Sequence, residues 1–310
     1  MMRNQTHVVT GDEAVGTQKA LRGELLVLLA GLAALGSLAT NIILPAFPDI
    51  GAELGTSVKD LSATLGTFFV AFAVGQLFVG PMSDRFGRKR LVLCGLAAFV
   101  VGSAVCALAT SFSQLVVGRI VQALGVCATS VLSRAIARDL FEGGVLARAL
   151  SSIMVAMAAA PGFSPLLGGA FNSLLGWRAT FGVVGVLAVL LGAHYVLRLG
   201  ETHRADRRVA LSLSTVARTY GQLLSDRRFI APALSVSLVI GSLFMFFAMA
   251  PAILMEGFGF SPLGLALFSL PPYSWCSALA CWRRGWRIDG ERRGRPEPAS
   301  SSRSLAALPC

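Results

Sequence analysis

The chain has 310 residues, 55% of them hydrophobic and 14% charged, with a mean hydropathy of +0.69 and a formal net charge of +11. That balance excludes an ordinary water-soluble domain and points to a polytopic membrane protein. Apolar runs of about 20 residues, long enough to cross the hydrocarbon core as helices, recur along the chain without the two-residue alternation of a membrane barrel, so the fold class is all-α.

A polar leader covers residues 1–24, with Asp12, Glu13, Lys19 and Arg22 and no small-residue cleavage pattern after the apolar run that follows. It reads as a cytoplasmic segment, not a removable signal peptide. Seven spans are predicted at about 25–48, 61–83, 91–110, 114–133, 149–177, 179–197 and 229–255, with a weaker eighth at 257–282.

The first span closes on Thr40-Asn41-Ile42-Ile43-Leu44-Pro45-Ala46-Phe47-Pro48, which places the polar Asn41 inside the membrane. Between the second and third spans runs Gly80 to Arg90, GPMSDRFGRKR, a tight and mostly positive loop. Gly80 and Gly87 permit close approach and a sharp turn, and Asp84 is able to cap a helix start and to pair with a nearby arginine. Arg88 and Lys89 are expected on the cytoplasmic surface.

The fourth span holds Arg119 and Gln122 within Leu115-Val-Val-Gly-Arg-Ile-Val-Gln-Ala-Leu-Gly125. Arg119 lies only about 9 Å inside the span, so it either turns to the interior, at a cost that a partner must offset, or snorkels to the outer interface. Asn41 is at similar depth, so the two polar groups face one cavity or serve helix packing.

Pro161, Gly162, Pro165, Gly168 and Gly169 fall inside the fifth span, where prolines remove backbone hydrogen bonds and glycines allow bending or close packing. Gly176-Trp177-Arg178 marks the following corner, with Trp177 read as an interfacial anchor, and His194 near the end of the sixth span is a titratable candidate.

A long basic connection, 198–228, reads as a linker between two halves, and its middle, Val209 to Leu224, has some amphipathic character. The six cysteines show no metal-ligand spacing and read as small core residues apart from the terminal Cys310. Arginine and lysine outside the apolar runs lie overwhelmingly in the leader and in the 2–3, 4–5 and 6–7 loops, while the alternate loops hold only Lys59 and Arg178. The positive-inside rule then puts the N-terminus in the cytoplasm, and the basic charge is topology, not a nucleic-acid footprint.

Taken together these motifs resemble the major facilitator superfamily. Gly80 to Lys89 is similar to its signature loop between helices 2 and 3, the Arg119 segment to its helix 4 motif, and Ala160 to Gly169 to the proline-glycine motif of its antiporters. The end of the first span resembles the bicyclomycin and chloramphenicol resistance branch of the drug:proton antiporters, in which an aspartate often stands at the position of Asn41.

The resemblance implies a complete six-helix half at 25–197, the linker at 198–228, and the start of a second half at 229–270. It implies a conformational latch at Gly80, Asp84, Arg85, Gly87, Arg88 and Lys89, with Asp84 and Arg85 central, and a proton and substrate pathway through Asn41, Arg119 and Gln122. Arg138-Asp139 is expected near the latch. The implied activity is multidrug efflux by proton antiport at the plasma (inner) membrane, in a monomer that needs no cofactor or metal and is not an enzyme. Small drug-like molecules, protons and the lipid bilayer are its partners.

The resemblance fades near Leu270. Pro271 and Pro272 interrupt the eighth run, and residues 271–310 form an atypical tail rich in arginine, proline and serine. That change reads as a frameshift or premature end, and the alternative function is a transport-inactive fragment or a half that needs a partner chain.

Overall fold

Residues 11–203, 213–251 and 253 are described by a computed structural model. Among them the regular structure is helical: α1 (Gly11–Asn41), a short 3-10 turn at Leu44–Ala46, α2 (Phe47–Leu54), α3 (Val58–Phe86), α4 (Arg88–Ala107), α5 (Phe112–Leu140), α6 (Gly143–Leu175), α7 (Trp177–Arg198), α8 (Leu213–Ser225) and α9 (Arg227–Pro251). Among the described residues six segments are long and apolar enough to cross a membrane, namely Gly23–Leu54, Lys59–Phe86, Arg88–Ala107, Phe112–Leu140, Gly143–Leu175 and Trp177–Arg198. The chain is therefore a multi-pass membrane protein of all-α class. The weaker eighth run at 257–282, the prolines after Leu270, and Cys276, Cys281 and Cys310 lie outside the described residues.

The helix ends follow their sequence. Ser57 caps α3, accepting from the Asp60 N–H at 3.1 Å while its hydroxyl donates to Asp60 Oδ2 at 2.6 Å. Ser111 caps α5 in the same way through the Gln114 N–H. Gly87 and Gly176 take positive φ, 91° and 80°, and let α3 turn into α4 and α6 into α7 with no further linker.

The first span differs from the expected single helix. Regular α-structure stops at Asn41, and Pro45 and Pro48 fall at the starts of the next two helical pieces, where a missing N–H costs nothing. The crossing segment is thus broken beside Asn41.

Apolar burial joins the bundle in two stacked layers. Leu29, Leu32, Phe68, Phe99, Val126, Leu132 and Val184 fill the larger one, and Ile43, Phe47, Ile50, Leu61, Leu115 and Phe181 the other, nearer the end that carries Gly55 and Gly176. In a bilayer the hydrophobic effect does not drive helix against helix, and close packing of small residues takes over that role. The α4–α5 pair shows this most clearly: a Cβ at Gly95 falls 2.7 Å from the Gly125 carbonyl oxygen, and one at Gly102 falls 2.5 Å from the Gln122 nitrogen. Gly95 and Gly102, and likewise Gly118 and Gly125, repeat every seventh residue, so each pair lines one face of its helix.

Candidate functional site

The close α4–α5 crossing carries the polar interior. Arg119 on α5 is fully buried, at 0% exposure, and does not extend to the interface. Its Nη1 donates to the carbonyl of Ala39 on α1 at 3.0 Å and to Gln122 Oε1 at 2.8 Å. Gln122 Nε2 donates in turn to Ser103 Oγ on α4 at 2.8 Å, and the Ser103 hydroxyl donates to the Phe99 carbonyl at 2.8 Å. One face of the guanidinium lies over the Phe68 ring of α3, 4.4 Å from its centroid, a cation–π contact strengthened by exclusion of water. Four helices therefore converge on one cation.

Asn41 is brought close to this network but not into it. Its Nδ2 donates to the Ser37 carbonyl one turn back at 2.7 Å, and the neighbouring Thr40 hydroxyl donates to the Gly36 carbonyl at 2.8 Å. The tie between the first span and Arg119 runs through the Ala39 backbone, so Asn41 does not orient Arg119 by a direct bond. Ser103 and Phe68 carry part of the network and have no signature of their own; the seven-residue glycine spacing beside Ser103 is the signal that marks the crossing.

On the far side of α1, the α6 motif serves the broken span. A Cβ at Gly168 would collide with the Ile42 carbonyl, and one at Gly169 would touch Pro45 at 3.9 Å, so α6 packs its glycines against the non-helical step of the first span. Pro161, Gly162 and Pro165 are buried within a continuous α6, and the Ser164 hydroxyl donates to the Ala160 carbonyl. Close packing is the outcome here.

At the basic end of the bundle Arg88 is the hub. Its side chain is only 11% exposed, against the expectation of a surface position, because the Gly87 turn aims it inward. Nη1 donates to Asp84 Oδ1 at 2.8 Å and also to the Ser83 hydroxyl, and Nε donates to Asp139 Oδ2 on α5 at 3.3 Å. The Arg88 N–H at the start of α4 donates to Glu201 Oε1 at 2.8 Å, so Glu201, not Asp84, caps that helix. Thr202 adds a hydroxyl to Asp139 Oδ2 at 3.3 Å. Arg138-Asp139 thus reaches the cluster through Asp139.

Arg85 is exposed and lies against the ring of its neighbour Phe86, Lys89 is half-buried, and a Cβ at Gly80 would meet open space, so Gly80 allows no close approach. In the sequence Glu201 carries no signal, because an isolated acid after a span looks like ordinary linker.

The opposite end is tied by Glu53, which accepts from Trp177 Nε1 at 2.6 Å and from Arg178 Nη1 at 2.5 Å. Trp177 is 4% exposed and packs on Phe181, a buried joint in place of the expected membrane-interface anchor. His194 lies 3.3 Å from Glu24, whose carboxylate pairs with Arg198 at 2.9 Å. Among the described residues no group of three or more His, Cys, Asp or Glu side chains has metal-holding geometry.

A model of the Major Facilitator Superfamily matches residues 29–295. The chain belongs to the major facilitator superfamily. The match continues past Leu270, to residue 295. This member is 37% identical over 240 residues to an uncharacterised MFS-type transporter, YdgK, of Bacillus subtilis, covering 77% of this chain and 60% of that protein. It is 34% identical over 242 residues to a chloramphenicol resistance protein of Pseudomonas aeruginosa, covering 78% and 57%.

A bicyclomycin resistance protein homolog of Haemophilus influenzae is also similar, 32% identical over 206 residues, covering 66% of this chain and 52% of that protein. A bacterial homolog of the human lysosomal transporter Spinster shares the fold, with a TM-score of 0.62 at 18% identity over 81% of this chain and 58% of that one. The chain spans about half to three-fifths of the length of the relatives it matches.

Proposed function

We propose that this chain supplies the first half, and the start of the second, of a secondary transporter that exports small drug-like molecules from the cell by alternating access and proton antiport. The observation that carries the reading is Arg119: a cation held at the meeting point of four helices, a costly placement of the kind that marks substrate and ion pathways in membrane proteins. Transport belongs to the assembled two-half molecule, in which residues 25–197 form one wall of the cavity, 198–228 the linker and 229–270 the beginning of the other wall.

In this reading Arg119, Gln122 and Asn41 line the pathway for substrate and protons. Asn41 has no proton to exchange, so the exchanging acid lies elsewhere. The cluster around Arg88, with Asp84 and the Gly87 turn, is the latch that holds one end closed, while Arg85 and Lys89 face the surface of that end. Pro161, Gly162, Pro165, Gly168 and Gly169 keep α6 against the broken first span. The basic end is cytoplasmic, the membrane is the plasma (inner) membrane, and the working unit is a monomer with no cofactor or metal.

The test is the drug susceptibility of a pump-deficient bacterial host expressing the two-half protein that this chain belongs to. Raised tolerance to at least one amphipathic drug, lost when the proton gradient is collapsed, is expected. No shift for any compound in a broad panel would sink the proposal.

A further inference from the structure

The guanidinium of Arg119 is used on one edge only. Nη1 makes both of its hydrogen bonds, whereas Nε and Nη2, equally buried, have no partner. These two nitrogens form the side-on edge of the group, a pair of parallel N–H bonds whose spacing matches the two oxygens of a carboxylate. The flat face beside that edge is covered by Phe68, which fixes the plane of the fork. Among the described residues no carboxylate pairs with Arg119.

We propose that the side-on edge of Arg119 is the receptor for a carboxylate carried by the transported molecule, an assignment that rests on the transport reading above. A hydroxyl or amide oxygen answers one N–H; a carboxylate answers both and neutralises the charge, which in low dielectric is the larger gain.

The route to it follows from the anchors. Gln122 and Ser103 hold Arg119 from α5 and α4, so those bonds survive a movement of α1. The α1 contact, Ala39, lies just before the non-helical step at Ile42–Ile43, where the chain bends without breaking a helix. A bend there releases the Ala39 bond while the Gln122 bond keeps the orientation of the fork.

Binding to the purified full-length chain in detergent tests this, with benzoate, salicylate and 2-naphthoate each set against its neutral amide and read by ligand-induced thermal stabilisation and direct affinity. The expected result is at least one acid bound about tenfold or more tighter than its amide, a preference that Arg119→Lys, with charge but no planar fork, reduces to about threefold or less. No preference for any acid in the wild-type chain overturns the inference, as does an unchanged preference in the lysine variant. If that variant does not fold, the wild-type comparison is repeated with Phe68→Leu, in which the preference must fall. Efflux of neutral drugs without acid preference sinks this inference and leaves the transport reading standing; acid preference without any efflux sinks only the transport reading.

Discussion

Glu201 holds the first N–H of α4: its Oε1 accepts from the Arg88 backbone at 2.8 Å across 113 residues of chain. The contact ties the beginning of the linker to the turn between α3 and α4, and the same arginine spends its side chain on Asp84 and Asp139. One residue thereby joins three elements. Changing Glu201 to Ala frees the helix start, and about 1 kcal/mol of stability is expected to be lost, as for other N-terminal caps. Thermal unfolding of the two proteins in the same detergent measures it, and Glu201→Asp is expected to recover part of the loss.

The Arg88–Asp139 pair is partly shielded, with side chains 11% and 24% exposed, so its attraction is screened less than that of a surface pair. A double-mutant cycle with Arg88→Gln and Asp139→Asn is expected to give a coupling of roughly 1 kcal/mol that changes little between low and moderate salt. A coupling near zero would mean that the geometry carries no energy.

Gly125 is the tightest point of the α4–α5 crossing, where an added Cβ runs into the Phe99 backbone. Gly125→Ala is expected to destabilise by about 1–3 kcal/mol, by prying apart the helices that carry Arg119 and Ser103. Gly66, inside α3 with nothing within 4 Å of its Cβ position, is the control: Gly66→Ala is expected to be neutral or slightly stabilising. Unfolding temperatures of the two variants separate packing from helix propensity.

Most of the helices are legible because apolar length and charge placement are properties of composition: among the described residues, six of the seven predicted spans appear as helices long and apolar enough to cross a membrane. The break after Asn41 was written in Pro45 and Pro48, yet apolar length alone joined both pieces into one span. The site was legible residue by residue, not as an arrangement. Arg119 announces itself as a charge in an apolar run, whereas Ser103 and Phe68 have ordinary identities, and Ser103 reaches Gln122 because Gly102 and Gly118 let α4 and α5 approach. A basic loop reads as surface, and the inward turn of Arg88 depends on the positive φ of Gly87, which is not read from a residue count.

Topology follows from charge and is open to direct measurement. Single cysteines placed at Lys89 and at Lys59, in a chain cleared of its own thiols, are expected to react with a membrane-impermeant maleimide from opposite sides, Lys89 from the cytoplasm. Labelling of both from the same side would contradict the arrangement of α3.

The most direct measurement is the initial rate of drug efflux from a pump-deficient host expressing the two-half protein, wild type against Arg119→Ala, at equal membrane expression. Loss of about 2 orders of magnitude in rate is predicted, since the change removes the cation, its tie to Ala39 and its platform on Phe68 together. An alanine variant that exports every tested compound at the wild-type rate would contradict the account.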